Sequence, residues 1–320
     1  MQRKLVIAHD INESLLQQVK DVIPDWDIIM GGHPEVWTKH IKDAEVIAGW
    51  RTKMVEPCLH NESSKLRWIQ SWSAGVDSYP LDTLAARDIY LTSANGVHAY
   101  PISESIFALM LALTRKIATY VKQQQDKKWD EANLNLEVHE KTIGIIGVGA
   151  IGKETAKIAK AFGMEVIGVR HSDKPEPFVD TMVTTEQLNA ILPSCDYVVV
   201  TVPLTQETHH LFGEEQFNLM KPTAFFINIG RGEVVDEQAL TKALETEQIA
   251  GAGLDVFENE PLDNDSPLWL LDNVIITPHS AGSTEHYTKR VIEDLLIPNL
   301  KEYIKGKAPS INLVDYHKGY

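Results

Sequence analysis

A glycine turn near the middle of the chain constrains the fold most. Residues 142–152 read TIGIIGVGAIG, a strand-like run followed by Gly147, Gly149 and Gly152 in G-x-G-x-x-G spacing and then by a helical run. The first glycine permits a tight strand-to-helix turn, the second lets the backbone approach a pyrophosphate, and the third lets helix and strand pack closely. The helix N-terminus adds free N–H groups and a partial positive charge. Spacing alone is equally compatible with a ligand-free turn. The strand before it and the helix after it favour a dinucleotide site. Its place far from the N-terminus suggests one domain inserted into another.

In such a unit the second strand ends about 20 residues after the glycines, where an Asp or Glu accepts hydrogen bonds from the ribose of NAD. Here that strand reads Glu165–Val169, and Arg170, His171 and Ser172 follow, with no acid at the tip. An arginine can pair with a 2′-phosphate, and a missing carboxylate removes the repulsion that would exclude one. NADP(H) is therefore favoured, with NAD(H) possible. The ordinary alternative is a solvated loop cation beside an NAD site that lacks its acid.

Strand and helix patterns alternate along the whole chain. Strands are expected at Leu5–Ala8, Asp27–Met30, Val46–Ala48 and Trp68–Ser71, then at Ile143–Ile146, Val166–Val169, Tyr197–Thr201, Ala224–Asn228, Ala250–Asp255 and Val274–Thr277. Several are continuous apolar runs, as in parallel sheets covered on both faces. One long helix is expected from Ser103 through the run ending at Trp129, connecting two domains, and an amphipathic helix from Thr284 to Lys305 leads back to the first. With 320 residues the chain is long enough for two cores. A formal charge of −15 and the lack of a basic stripe argue against nucleic acid. No apolar stretch approaches membrane-spanning length. Cys58 and Cys195 match no zinc or redox spacing, no metal site is expected, and a cytoplasmic location fits.

Three polar residues stand just beyond successive strands of the second half: Arg231 in NIGRG, Glu260 in DVFENEP and His279 in TPHSAG. Ligands bind at that edge of doubly wound sheets. Each has an ordinary alternative as a loop ion pair, a turn acid or a capping histidine. Together they match the needs of 2-oxo acid reduction. His279 can donate the proton as general acid, Glu260 can fix its tautomer and stabilise its charged form, and Arg231 can grip the carboxylate and polarise the carbonyl.

At these residues the chain resembles the D-isomer-specific 2-hydroxyacid dehydrogenase family. The blocks SWSAGVD at 71–77, the fingerprint at Gly147–Gly152, NIGRGEVVDEQAL, GAGLDVFENEP and ITPHSAG carry the likeness over nearly the whole chain. The Arg170 tip and NGVHAYPISE look most like the glyoxylate/hydroxypyruvate reductase-like branch. The resemblance implies a Rossmann-type doubly wound parallel sheet domain (99–285) inserted in a smaller flavodoxin-like α/β substrate domain (1–98 and 286–320). It also implies an interdomain active-site cleft and a homodimer joined through the cofactor domains. Its implied substrate contacts are the N–H groups of Gly75 and Val76 together with Arg231. Its implied cofactor contacts are Ala150 and Ile151 at the pyrophosphate and Val202, Pro203 and Thr208 on the adenosine and ribose side. Asp255 is implied at the carboxamide, with Ile229 and Gly282 nearby. Trp50, Trp72, Tyr100, Trp269 and His98 are candidates for the cleft wall.

The expected function is hydride transfer between a nicotinamide cofactor and a small 2-oxo or D-2-hydroxy acid. A catalytically weak nucleotide-sensing protein on the same scaffold is the alternative. It would keep the glycines and lose parts of the Arg231, Glu260 and His279 set.

Overall fold

The computed structural model describes residues 2–49, 56, 58–61, 63–76, 78–131 and 134–316. Trp50, one of the cleft candidates, lies outside the described residues, as does Asp77. The chain divides into two compact units, Met1–Val97 with Thr284–Tyr320 and, inserted between these segments, His98–Ser283.

Among the described residues the discontinuous unit holds a five-stranded sheet. Its strands are β1 (Lys4–Ile7), β2 (Asp27–Met30), β3 (Val46–Ala48), β4 (Trp68–Gln70) and β5 (Tyr90–Thr92). Their order is β2-β1-β3-β4-β5 with every pair parallel, the flavodoxin-like order. Both faces of β1 are buried because its side chains alternate between two clusters. Val6 packs with Trp37, Ile41 and Ile47, while Leu5 and Ile7 pack with Leu15, Val19, Ile292, Leu296 and Leu300. Alternation between two apolar layers explains the continuous hydrophobic run at the N-terminus.

The returning helix runs from Tyr287 to Tyr303, shorter at both ends than expected, and widens into a π turn over Val291–Leu296. Pro298 supplies the reason. It has no N–H to give to the carbonyl four residues earlier, and its ring crowds that carbonyl, so the preceding turn opens.

A polar cluster ties this helix to the sheet. Glu45 accepts from Arg3 Nε at 2.9 Å and from the Tyr303 hydroxyl at 3.0 Å, and the Arg3 guanidinium lies 4.2 Å from the Trp26 ring centre. Burial pushes the Glu45 carboxyl up, but the hydrogen bonds from Arg3 and Tyr303 outweigh it and hold the group below its ordinary range. A depressed carboxyl stabilises the fold at pH above its unfolded value, and that contribution is lost as pH falls through the folded value. Glu45→Gln is therefore expected to cost about 1 kcal/mol at neutral pH, because the pair is partly exposed. Urea unfolding checks this, and the difference from wild type should shrink in acid.

The inserted unit holds a seven-stranded sheet among its described residues. Its strands are β6 (Thr142–Ile146), β7 (Glu165–Val169), β8 (Thr181–Val183), β9 (Tyr197–Val200), β10 (Phe225–Asn228), β11 (Gly251–Leu254) and β12 (Val274–Ile276). The order is β12-β11-β10-β9-β6-β7-β8, again with every pair parallel. The order reverses between β6 and β9, the switch point of a doubly wound sheet. Strand β9 sends Val198 and Val200 to one core layer and Tyr197 and Val199 to the other.

The single long helix expected from Ser103 is instead two helices, Ala99–Thr114 and Ile117–Gln125, and both belong to the inserted unit. Lys116 between them has φ 52°, in the left-handed region, and its N–H bonds the Leu113 carbonyl. A left-handed residue ends a helix by turning the last carbonyls onto new donors. The first helix buries Ile106, Phe107, Leu109 and Met110 in the core, while the second buries none of its residues. Strands β5 and β8, each of three residues, sit at sheet edges and were not apparent from the residue pattern. No helix among the described residues is long and apolar enough to cross a membrane.

Candidate active site

The glycine turn fits a dinucleotide in the three ways its spacing implies. Gly147 has φ 107°, and a Cβ there would lie 2.9 Å from Thr201 Oγ1 and 3.0 Å from the Thr201 main chain. A Cβ on Gly152 would fall 2.2 Å from the Gly147 carbonyl oxygen, so only glycine lets helix and strand approach. A Cβ on Gly149 would meet nothing within 4 Å, leaving open space where a pyrophosphate would approach. The helix Ala150–Ala161 begins immediately after it with no acid in its first turn. The N–H groups of Ala150 and Ile151 are among the first four of that helix, which have no partner within it.

The tip of β7 departs from expectation. Arg170 stands there, but a carboxylate stands with it. Glu176 Oε1 lies 2.7 Å from Arg170 Nη1, and Glu176 Oε2 lies 3.0 Å from Nζ of Lys153 on the phosphate-side helix. Arg170 also donates from Nη2 to the Lys174 carbonyl at 2.9 Å and from Nε to the Ser172 carbonyl at 3.4 Å. Hydrogen bonds from Arg170 and then Lys153 hold the Glu176 carboxyl below its ordinary range. No acid stands at the strand-tip positions Arg170 to Ser172, but one reaches the tip in space. The acid arrives from six positions along the loop, where the strand-end rule does not look. His171 is exposed beside Arg170, and Ser172 offers its carbonyl to the arginine.

Beyond β9, Val202 and Pro203 follow the strand, and Thr208 is buried. The Thr208 hydroxyl donates to the Pro203 carbonyl at 2.7 Å and accepts from Thr205 N–H at 2.8 Å. Its hydroxyl thus shapes this loop from within. Ile229 is buried just past β10.

Arg231, Glu260 and His279 follow β10, β11 and β12, three adjacent parallel strands, at their carboxyl ends. Glu260 Oε2 and His279 Nδ1 are 2.7 Å apart, and Glu260 Oε1 accepts from Phe257 N–H at 3.1 Å. A carboxylate only accepts, so this contact assigns the proton to Nδ1 and leaves Nε2 on the ring edge away from Glu260. The two side chains are 49% and 35% exposed for His279 and Glu260, so the imidazole is supported on one side and accessible on the other. Arg231 Nη1 donates to the Gly230 carbonyl at 2.8 Å. The Arg231 loop also presses on the Glu260 loop, since a Cβ on Gly232 would lie 1.9 Å from the Phe257 carbonyl carbon.

Two buried strand-end side chains hold these loops. Asn228 accepts from Gly230 N–H at 3.0 Å and donates to the Arg231 carbonyl at 3.1 Å. Asp255 accepts from Thr277 Oγ1 at 2.5 Å, Ser280 N–H at 2.9 Å and Ala281 N–H at 3.0 Å. Between those partners sits His279 at φ 49°, its N–H bonded to the Asp255 carbonyl at 2.8 Å. A left-handed histidine costs about 1 kcal/mol, which the surrounding hydrogen bonds offset. Asp255 is thus first a support for the histidine turn. A carboxylate has about four acceptor positions, so the three bonds leave room for one more donor. The signal for both residues was a polar side chain closing an otherwise apolar strand.

His98 Nδ1 contacts the Gly282 carbonyl at 2.9 Å, which fixes the end of the same turn. Tyr100 and Trp269 are about half exposed, and Trp269 donates from Nε1 to the Asp263 carbonyl at 2.9 Å. In the discontinuous unit, Trp72 stacks on His9 with ring centres 4.4 Å apart. The N–H groups of Gly75 and Val76 there donate no hydrogen bond among the described residues, as an anion anchor would require.

Residues 107–281 match the model of the D-isomer specific 2-hydroxyacid dehydrogenase NAD binding domain. A glyoxylate reductase of Korarchaeum cryptofilum is 33% identical, over 98% of this chain and 96% of its own. A glyoxylate/hydroxypyruvate reductase B of Klebsiella pneumoniae is 33% identical, over 96% of this chain and 97% of its own. Among solved structures, a D-isomer specific 2-hydroxyacid dehydrogenase from Xanthobacter autotrophicus in complex with NADPH and MES superposes with a TM-score of 0.82. It is 28% identical and covers the whole of both chains.

Proposed function

The chain belongs to the D-isomer-specific 2-hydroxyacid dehydrogenase family, and from that membership we propose that it reduces glyoxylate or hydroxypyruvate with NADPH through Arg231, Glu260 and His279. It is an NAD(P)-dependent enzyme, and its relatives place its substrates among small 2-oxo acids. The single observation that carries the residue assignment is the 2.7 Å contact between His279 Nδ1 and Glu260 Oε2 on the sheet edge that also presents Arg231.

When bound, the nicotinamide supplies or takes up the hydride at the substrate C2 carbon. The chain does the rest. The Arg231 guanidinium grips the substrate carboxylate and draws charge toward the carbonyl oxygen as it becomes an alkoxide. His279, charged, gives its Nε2 proton to that oxygen, and Glu260 holds the ring while its charge stabilises the imidazolium. Oxidation of a hydroxy acid uses the same groups with a neutral His279 accepting the proton. In the discontinuous unit, the N–H groups of Gly75 and Val76 are our candidates for the second carboxylate contact. The glycine turn, Ala150 and Ile151 would hold the pyrophosphate, and Arg170 would pair with the 2′-phosphate. A nucleotide sensor would need the cradle alone and would leave the histidine–carboxylate pair without a use.

Initial rates of NADPH and NADH oxidation with glyoxylate, hydroxypyruvate, pyruvate and phenylpyruvate test the proposal. Turnover of glyoxylate or hydroxypyruvate is expected, with kcat/KM higher for NADPH. Arg170→Asp should lower kcat/KM with NADPH about tenfold or more by replacing a charged partner of the phosphate with a repulsive one. Nucleotide binding with no turnover of any oxo acid would favour the sensor. A wild-type preference for NADH would sink the cofactor assignment.

A further inference from the structure

We infer that Glu176 is a specificity-determining residue for the cofactor, a counter-ion that occupies the cationic pair Arg170 and Lys153 and yields it to the 2′-phosphate of NADP(H). The inference rests on the reading that Arg170 faces that phosphate. Glu176 bridges the two cations with one oxygen each, at 2.7 Å and 3.0 Å. One of those cations ends the second sheet strand. The other lies on the helix Ala150–Ala161 that follows the glycine turn. The ribose end of a dinucleotide is read between these two elements.

Charge makes Glu176 a competitor. With its carboxylate in place the three side chains sum to +1, and without it the pair offers +2 to a phosphomonoester of about −1.5 to −2. The 2′-phosphate therefore meets repulsion until Glu176 moves aside, whereas a bare 2′-hydroxyl does not. Geometry makes the carboxylate separable from the cradle. Arg170 is also held by the main-chain carbonyls of Ser172 and Lys174. The guanidinium therefore keeps supports when Glu176 leaves. Glu176 and Arg170 retain 15% and 24% side-chain exposure and Lys153 retains 49%, so the carboxylate has solvent to swing into. Affinity for the phosphorylated cofactor is thus set by the balance of two cations against one internal anion. Arg170 alone does not set it.

The test is calorimetric binding of adenosine 2′,5′-bisphosphate and 5′-AMP to the full chain, as wild type, Glu176→Gln, Lys153→Gln and Arg170→Gln. Glutamine keeps the shape and an acceptor while removing the charge. Glu176→Gln should bind the bisphosphate about two- to fivefold more tightly, with 5′-AMP unchanged, and the gain should fall as salt rises. Lys153→Gln should weaken the bisphosphate alone. Unchanged or weaker bisphosphate binding by Glu176→Gln, with wild type still preferring the bisphosphate to 5′-AMP, overturns the role of Glu176 and leaves the Arg170 reading standing. Weaker 5′-AMP binding by Glu176→Gln would make Glu176 a ribose ligand and also overturns it. Equal affinity for both nucleotides in wild type, unmoved by Arg170→Gln, overturns the 2′-phosphate reading and this inference with it.

Discussion

His279→Ala lowers kcat for oxo acid reduction by about 10²–10⁴, the range of a lost general acid, with KM for the oxo acid close to wild type. The split follows from where the imidazole sits. Its Nδ1 is committed to Glu260 at 2.7 Å, so in the proposed mechanism the other nitrogen serves the reacting oxygen and contributes mainly once charge develops there. An interaction made chiefly in the transition state shows in kcat and kcat/KM alike. Stopped-flow and steady-state rates on the folded variant check the expectation. Near-normal turnover would mean that another group delivers the proton.

Arg231→Ala is expected to damage both constants. The guanidinium is assigned two tasks, holding the carboxylate in the ground state and polarising the carbonyl as it gains charge. Loss of the first raises KM, by about the 1.5–3 kcal/mol of a hydrogen bond to a charged group. Loss of the second lowers kcat, by about 10²–10³ for a removed donor to a developing oxyanion. Folding should survive, because the turn around Arg231 is fixed by Asn228, which bonds Gly230 N–H and the Arg231 carbonyl without using the arginine side chain. A variant with unchanged KM and a reduced kcat would remove the carboxylate-gripping role and leave the polarising one.

What the residues disclosed in advance had local physical causes. Gly147 and Gly152 were legible because each answers a backbone requirement that no other residue meets, and Gly149 because it stands between them in the spacing that leaves room for a pyrophosphate. The central strands were legible because both faces of a parallel sheet are covered, which forces unbroken apolar runs such as Tyr197–Val200. Arg231, Glu260 and His279 stood out as polar residues just past such runs. What stayed hidden depended on contacts between segments. Glu176 reaches the β7 tip only because its loop folds back on Arg170, and no periodicity encodes that return. The resemblance implies Asp255 at the carboxamide, and its carboxylate has a second role in supporting the turn that carries His279, visible only with Thr277, Ser280 and Ala281 in place. The helix break at Lys116 uses a left-handed residue that is not glycine, so composition gave no warning. Edge strands β5 and β8 each open on an exposed residue, Tyr90 and Thr181, so neither shows a continuous apolar run.

The most direct test of the proposed histidine–carboxylate pair is a double-mutant cycle in kcat for oxo acid reduction, over wild type, Glu260→Gln, His279→Ala and the double variant, with an isotope effect confirming that hydride transfer limits the rate. Glu260 Oε2 lies 2.7 Å from His279 Nδ1, so in the proposed mechanism the carboxylate acts only through the ring it holds. Glu260→Gln is expected to lower kcat about tenfold or more while His279 is present, and to change it little once the imidazole is gone, because the two residues act as one unit. Glutamine can still accept from Phe257 N–H, so the loop keeps its local bond. A folded Glu260→Gln enzyme with wild-type kcat, or an equal loss from Glu260→Gln with and without His279, would show that the two residues act independently, and the proposed dyad would be wrong.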